Sequence, residues 1–201
     1  MPMRPDRRHV LCLLGAVPVA TALPARAEDG PVTGDIVLGA DDAPVTVIEY
    51  ASFTCPHCAY FHQDTYPEFK TNYVDTGKAK FILREVYFDP YGLWASMLAR
   101  CAGRDGFYSL AGAFMKQQDQ WTGSDDIAGA LQKIGRVNGL SSAKMRECLT
   151  DEGFAEALVA DYQRNAEADG ITSTPSFVIN GELHRGNMDY EEFAALVDQH
   201  L

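Results

Sequence analysis

Two cysteines separated by two residues are the most reactive feature of this sequence. They belong to the tetrapeptide Cys55-Pro56-His57-Cys58. Cysteines at positions i and i+3 of a first helical turn lie on one face, so their sulfurs can come within bonding distance. Such a pair can exchange two electrons between dithiol and disulfide forms. The same spacing also occurs at metal sites, so the motif predicts either redox chemistry or metal binding.

The residues next to Cys55 favour a thiolate at that position. At the start of a helix, unpaired amides and the positive end of the helix dipole stabilise an anion. Pro56 fits the first turn because its missing N–H would have no helical partner, and His57 adds a donor and, when protonated, a cation. Each unit by which the Cys55 pKa falls below the ambient pH stabilises the dithiol by about 1.4 kcal/mol, or about 30 mV. We therefore predict a couple that donates its disulfide.

Metal binding is the competing interpretation of the motif. The two cysteines, with His57 or His62, could bind zinc or Cu(I). A structural zinc site needs four ligands, and the sequence contains no second Cys/His pair at suitable spacing. We favour redox chemistry and predict no metal site.

Alternating elements of strand and helix surround the motif. Strand-like segments are predicted at 35–38, 45–50, 80–88, 176–179 and 182–184. The second strand runs directly into Cys55, and the helix that follows has Phe61, Thr65 and Phe69 at four-residue spacing, with Pro67 expected to interrupt it. A final helix is capped by Asp189 and presents an apolar face formed by Phe193, Leu196, Val197 and Leu201. Between the third and fourth strands the periodicity is helical throughout, which predicts a mixed sheet interrupted by a helical insertion.

Composition and charge restrict the class of protein. A chain of 201 residues that is 46% hydrophobic is long enough for one globular domain with its own core. Its formal charge of -11 repels a phosphate backbone, so nucleic-acid binding is not expected.

The N-terminus predicts export from the cytosol. Basic residues precede an uncharged run over 10–25, and Ala25-Arg26-Ala27 has the form of a signal-peptidase site, so cleavage is expected after Ala27. The run is shorter than the roughly 20 apolar residues of a membrane-spanning helix. Arg7-Arg8 also fits a twin-arginine signal, which leaves the export route open. Outside the cytosol, pairing among the four remaining cysteines, at 55, 58, 101 and 148, is the default expectation.

The mature chain resembles the DsbA-like branch of the thioredoxin superfamily. The matching residues are the segments 49–58 and 172–177, Asn180-Gly181, and Arg100-Cys101-Ala102 within the helical block. The resemblance implies an α/β, thioredoxin-like mixed sheet interrupted by an α-helical insertion. We assign residues 1–27 to the signal peptide, 28–91 with 168–201 to the thioredoxin-like domain, and 92–167 to the insertion.

The resemblance also implies roles for individual residues around the dithiol. Thr174 and Pro175 would form a cis-proline loop that offers backbone to a substrate strand. Glu49 would relay protons for Cys58, with Arg84 as its partner, although a solvated glutamate on the strand face is the alternative. His62, His184 and His200 are expected at the surface.

A second cysteine pair is expected in the insertion. The resemblance implies a structural disulfide between Cys101 and Cys148. Two free buried thiols remain the alternative, since four cysteines allow three pairings.

The implied activity is that of a periplasmic, monomeric thiol:disulfide oxidoreductase without a bound cofactor. Cys55 would be the exposed interchange sulfur and Cys58 its buried partner. Reduced exported polypeptides would be the substrates, and a DsbB-like quinone-coupled membrane protein would reoxidise the enzyme. A reductase or isomerase with the same site, or a metal-binding chaperone module, is the alternative.

Overall fold

A five-stranded mixed sheet forms the centre of the fold in a computed structural model that describes Met1 and residues 31–201. The strands are β1 (Val37–Leu38), β2 (Val45–Ala51), β3 (Ala79–Glu85), β4 (Ser176–Ile179) and β5 (Glu182–Arg185). Their order across the sheet is β1-β3-β2-β4-β5, with β2 parallel to β3 and the other neighbours antiparallel. The predicted α/β fold with a mixed sheet is therefore confirmed. Apart from Met1, the predicted signal peptide and its cleavage site after Ala27 lie outside the described residues.

Helices account for most of the remaining described chain. The α-helices are α1 (Pro56–Tyr60), α2 (Tyr66–Phe69), α3 (Pro90–Cys101), α4 (Gly103–Lys116), α5 (Gln118–Thr122), α6 (Ile127–Val137), α7 (Ser142–Leu149), α8 (Glu152–Ala168) and α9 (Tyr190–Asp198). Helices α3 to α8 all lie between β3 and β4. Their buried residues, such as Phe107, Phe114 and Trp121, pack in the same hydrophobic core as the sheet.

The helical connection between β2 and β3 contains the predicted interruption. Two π-helical segments, Phe61–Thr65 and Lys70–Val74, alternate with α1 and α2. Pro67 lies in the first turn of α2, where its missing amide does not cost a helical hydrogen bond. Parallel neighbours such as β2 and β3 require a crossover of this length.

The two faces of the sheet are covered by different elements. On one face, Phe61 packs against Phe177 of β4 and Phe193 of α9, with ring centroids 4.6 and 5.1 Å apart. On the other face, Tyr50 lies in a smaller cluster to which Tyr162 of α8 contributes. Because side chains alternate along a strand, neighbouring residues of β2 reach opposite faces.

The last helix begins as predicted and ends earlier. The Asp189 carboxylate accepts a hydrogen bond from the Glu192 amide at 2.9 Å, and Phe193 and Val197 are fully buried. Since α9 ends at Asp198, Leu201 lies beyond it and is exposed, so its predicted place on the apolar face is wrong.

None of the helices within the described residues combines the length and the apolar character needed to cross a bilayer.

A disulfide links Cys101, at the end of α3, to Cys148 in α7. Both residues are buried, and they are 47 positions apart in the sequence. In the chain-entropy description, a cross-link of this span restricts the unfolded chain strongly.

Replacing both Cys101 and Cys148 with alanine is expected to lower the free energy of unfolding by about 4 kcal/mol. Urea denaturation of the oxidised proteins measures this difference. Cys101→Ala alone should lose a similar amount, because it also removes the cross-link. Equal unfolding free energies for the wild type and the double variant would show that the cross-link contributes nothing.

Candidate active site

The Cys55–Cys58 motif lies where β2 passes into α1. Cys55 directly precedes the first residue of α1 and has an extended backbone, with φ -88° and ψ 117°. The Cys55 carbonyl accepts hydrogen bonds from the amides of Cys58, at 3.1 Å, and Ala59, at 3.2 Å. Cys55 therefore occupies the N-cap position that the sequence predicts.

The two sulfurs, which are not bonded to each other, lie in different environments. Cys55 is partly exposed and Cys58 is fully buried. The pKa of Cys55 is lowered to about 5, first by a hydrogen bond from Cys58 and then by hydrogen bonds from Thr174 and backbone amides, which together outweigh the effect of burial. The pKa of Cys58 is raised, first by burial, then by its hydrogen bond to Cys55 and by the negative charge of Glu49. At neutral pH the site thus holds one thiolate and one thiol.

The two residues between the cysteines are exposed. Pro56 occupies the first turn of α1, and the His57 ring packs edge-on against Tyr60 with centroids 6.1 Å apart. Among the groups that lower the pKa of Cys55, His57 contributes through its backbone amide.

The loop before β4 lies beside the outer sulfur. The Thr174 carbonyl oxygen is 3.6 Å from the Cys55 sulfur, and the Thr174–Pro175 peptide bond is cis. The buried Pro175 accepts a hydrogen bond from the Gly186 amide through its carbonyl oxygen, at 2.9 Å. The β4–β5 hairpin therefore holds this loop against Cys55.

Gln118 is a residue of the site that sequence reasoning missed. Its side-chain amide donates to the carbonyl oxygens of Phe53, at 2.8 Å, and Cys55, at 3.0 Å, and the residue is 3% exposed. It lies in α5, more than 60 residues from the motif. A glutamine in a helical segment carries no local signal of such a contact, so only the tertiary structure reveals it.

A second polar contact fixes the residue before Cys55. The Thr54 hydroxyl donates to the Asp89 carboxylate at 2.6 Å, and the other oxygen of Asp89 accepts from the amides of Tyr91 and Gly92 at 2.8 and 2.9 Å. Asp89 followed by Pro90 is a signal for the start of a helix that can be seen in the sequence. The contact between Asp89 and Thr54 cannot be seen there.

Glu49 is buried and paired, but its partner is not the predicted one. Its Oε2 lies 2.8 Å from His62 Nε2. The predicted partner, Arg84, binds the carboxylates of Asp35 and Asp169. In the β2–β3 register, Glu49 is aligned with Leu83, and Arg84 is aligned with Tyr50. Because side chains alternate along a strand, Glu49 and Arg84 therefore lie on opposite faces of the sheet.

His62 was expected at the surface, and this prediction is wrong. Its side chain is only 4% exposed and contacts the Tyr66 ring, with centroids 4.9 Å apart. His184 and His200 are partly exposed. The four-residue spacing between Cys58 and His62 places both on the buried face of the helical connection, and the sequence contained this signal.

The arrangement is that of a reactive dithiol. Across the described residues, no group of three or more histidine, cysteine or acidic side chains is placed to hold a metal ion. The site combines a half-exposed thiolate, a buried thiol and a loop carbonyl next to the exposed sulfur.

The comparisons agree with this fold and site. The thioredoxin family model matches residues 32–199. A protein of Rickettsia bellii provisionally named protein-disulfide oxidoreductase is 37% identical over 82% of this chain and 64% of its own length. Disulfide bond formation protein D of Bacillus subtilis is 30% identical over 85% of this chain and 78% of its own length. The crystal structure of Wolbachia pipientis alpha-DsbA1 superposes with a TM-score of 0.77 at 31% identity, covering 85% of this chain and 92% of that one.

The chain therefore belongs to the thioredoxin family, in its DsbA-like branch. It spans slightly less than two thirds of the length of the Rickettsia relatives that it matches.

The low pKa of Cys55 predicts a pH-dependent stability of the reduced protein. The folded protein holds Cys55 as a thiolate above about pH 5, whereas the unfolded chain protonates it up to its ordinary, higher pKa. We compare the free energies of unfolding of the reduced wild type and reduced Cys55→Ser. The advantage of the wild type should grow from pH 5 to pH 8 and should disappear as the pH falls through about 5. Urea titrations over this range measure it, and a difference independent of pH would contradict the low pKa.

Removing the amide of Gln118 should destabilise the motif loop. In Gln118→Leu the Phe53 carbonyl loses its side-chain donor, whereas the Cys55 carbonyl keeps the amides of Cys58 and Ala59, and one buried unpaired group costs about 1–3 kcal/mol. Thermal or urea denaturation gives the loss. Gln117→Leu is the matched control, because the side chain of Gln117, between α4 and α5, donates to the Ala113 carbonyl of α4 and not to the motif. Equal free energies of unfolding for the two variants would show that the Gln118 amide does not stabilise the motif loop.

Proposed function

We propose that this protein is an exported thiol:disulfide oxidoreductase that donates the Cys55–Cys58 disulfide to reduced polypeptides folding outside the cytosol. The observation that carries the proposal is the unequal acidity of the two sulfurs, with the pKa of Cys55 lowered and that of Cys58 raised. The names of the Rickettsia and Bacillus relatives support the same activity.

The reaction begins on the exposed sulfur. A substrate thiolate attacks Cys55 of the oxidised protein, the Cys55–Cys58 bond breaks, and Cys58 leaves as a thiolate. Because burial raises the pKa of Cys58, that thiolate takes up a proton and becomes a poor nucleophile toward the new mixed disulfide. The protonated inner sulfur therefore protects the intermediate from reversal.

A second substrate thiolate completes the transfer. It attacks the substrate sulfur of the mixed disulfide, and Cys55 leaves as a thiolate. A thiol of low pKa is a good leaving group, and the pKa of Cys55 is about 5. The substrate gains a disulfide and loses two electrons, which the protein keeps as its dithiol.

The direction of transfer follows from the stability of the reduced form. A thiolate held at Cys55 stabilises the dithiol relative to the disulfide, which makes the couple more oxidising. The protein should therefore donate its disulfide rather than reduce those of its substrates.

The position of the loop before β4 supports its assignment to substrate binding. The Thr174 carbonyl lies beside the Cys55 sulfur, while Pro175 is buried beneath it. We assign Thr174 and Pro175 to substrate binding, with the backbone of this loop pairing with an extended substrate segment. His57 and Pro56 flank the sulfur on the exposed side, and Glu49 lies on the buried side.

The compartment and the reoxidant are part of the proposal. The basic N-terminus, the apolar run and the cleavage site after Ala27 support export to the periplasm. A quinone-coupled membrane protein of the DsbB type would restore the disulfide, with no cofactor bound to this chain. The Cys101–Cys148 disulfide, which needs an oxidising compartment, fits this location.

Oxidation of a reduced, unfolded model protein with two cysteines tests the activity. The oxidised wild type should form the substrate disulfide and become reduced itself in equal amount. Cys55→Ser should be inactive, and Cys101→Ala/Cys148→Ala is the control that removes a disulfide without touching the active pair. A wild type no faster than Cys55→Ser would refute the proposal.

Equilibration with glutathione distinguishes the direction of electron flow. A disulfide donor should be more oxidising than glutathione, whereas a couple more reducing than glutathione would indicate a reductase. Retention of Cu(I) or zinc at one equivalent after gel filtration would favour the chaperone alternative.

A further inference from the structure

Resting on the proposed function, we propose that His62 is a positioning residue for the proton of Cys58. Together with Glu49 it forms a buried pair that supplies this proton when the disulfide opens and takes it back when the disulfide closes. Neither the dithiol motif nor the loop before β4 contains this residue.

The pair is buried and only partly satisfied. Glu49 is fully buried and the His62 side chain is 4% exposed, with one hydrogen bond of 2.8 Å between Oε2 and Nε2. Within the described residues, the remaining atoms Glu49 Oε1 and His62 Nδ1 are buried and have no hydrogen-bond partner. An unpaired buried carboxylate is costly, so Glu49 needs His62. The two unpartnered atoms are the sites at which the pair can gain or lose a proton.

Cys58 shares this environment. It lies fully buried in the same helical connection as His62, four residues earlier, and the charge of Glu49 helps to raise the pKa of its thiol. The other titratable groups around Glu49 are Tyr66 of α2 and Tyr108 of α4, whose pKa values are raised mainly by burial. These phenols stay protonated at neutral pH.

The neighbouring strands add no charge at this point. The residues aligned with Glu49 are Leu83 in β3 and Phe177 in β4. Apart from Cys55, the charged group that acts on the Cys58 thiol is therefore Glu49, and His62 is its hydrogen-bonded partner.

The pair accounts for the proton that Cys58 gains in the first step. When the substrate thiolate breaks the Cys55–Cys58 bond, the Glu49 carboxyl gives its proton to the Cys58 thiolate and is left as a carboxylate. The Nε2–H of His62 then holds that carboxylate. When the disulfide is restored, the Cys58 thiol returns the proton to Glu49, and no proton is exchanged with solvent in the sulfur step itself.

Histidine suits this role better than a permanent cation. An arginine or lysine would keep Glu49 ionised in both redox states and would oppose proton return from Cys58. Imidazole can be neutral or charged in the range of about pH 5 to 8. Arg84 cannot take this place, because it lies on the other face and binds Asp35 and Asp169.

Reduction of the oxidised protein by dithiothreitol, followed from pH 5 to pH 8, tests the inference. The amide of His62→Gln can still donate to Glu49 but cannot titrate, so reduction near neutral pH should slow about tenfold and the pH profile should lose one titration. His200→Gln, which removes a histidine near the end of the chain, should follow the wild-type profile. The thiolate absorbance of Cys55 should keep its midpoint in both variants.

A measurement on the wild type keeps the test independent of any folding defect. In NMR titrations of the imidazoles, the signal of His62 should have a different midpoint in the oxidised and reduced proteins, and that of His200 should not. A His62→Gln pH profile that superposes on the wild type, or a His62 midpoint that is the same in both redox states, would overturn the inference.

The outcome separates this inference from the proposed function. If the wild type oxidises the unfolded substrate but His62→Gln has the wild-type profile, His62 has no role in proton transfer and the oxidase function stands. If the His62-dependent profile appears with dithiothreitol while no protein substrate is oxidised, the proton pair stands and the proposed function fails.

Discussion

The hydrogen bond from Cys58 to Cys55 is the interaction on which the site depends. It is the largest contribution to the low pKa of the outer sulfur, and burial makes the inner sulfur the donor. Without this division, two similar thiols would compete for one charge and neither would be held as a thiolate at neutral pH. In the proposed reaction, the direction of electron transfer depends on which sulfur ionises, because a stabilised thiolate stabilises the dithiol state.

That hydrogen bond needs a loop held in one conformation, and distant parts of the chain provide it. Gln118 of α5 holds the carbonyls of Phe53 and Cys55, Asp89 before α3 holds Thr54, and the β4–β5 hairpin holds Thr174 against the sulfur. The helices between β3 and β4 thus take part in the active site as well as in the core. For the proposed function, contacts of this kind would fix the sulfurs before a substrate arrives, which is how a site avoids reorganisation during reaction.

The parts of this structure that follow from local physics could be predicted from the sequence. The strands near 45–50 and 176–179 and the N-cap position of Cys55 all follow from periodicity and turn chemistry. Gln118 could not be predicted, because its contact depends on how α5 packs against the motif. The pairing of Glu49 with Arg84 was wrong for a related reason: adjacency of strands does not determine register, and a shift of one residue moves a side chain to the opposite face.

The carboxylates on the two faces of the sheet are paired differently. On the face of Arg84, the guanidinium binds Asp35 and Asp169, and the Tyr50 hydroxyl joins the same network. On the face of Glu49, the pair with His62 leaves one oxygen and one nitrogen without partners among the described residues. Folding alone would favour full pairing on both faces, since each buried unpaired group costs about 1–3 kcal/mol. Ser96 Oγ and His184 Nε2 also lack partners among the described residues, but of these four buried atoms only Glu49 Oε1 belongs to a carboxylate. A carboxylate oxygen buried without a donor is costly, and such departures are expected where a protein carries out chemistry.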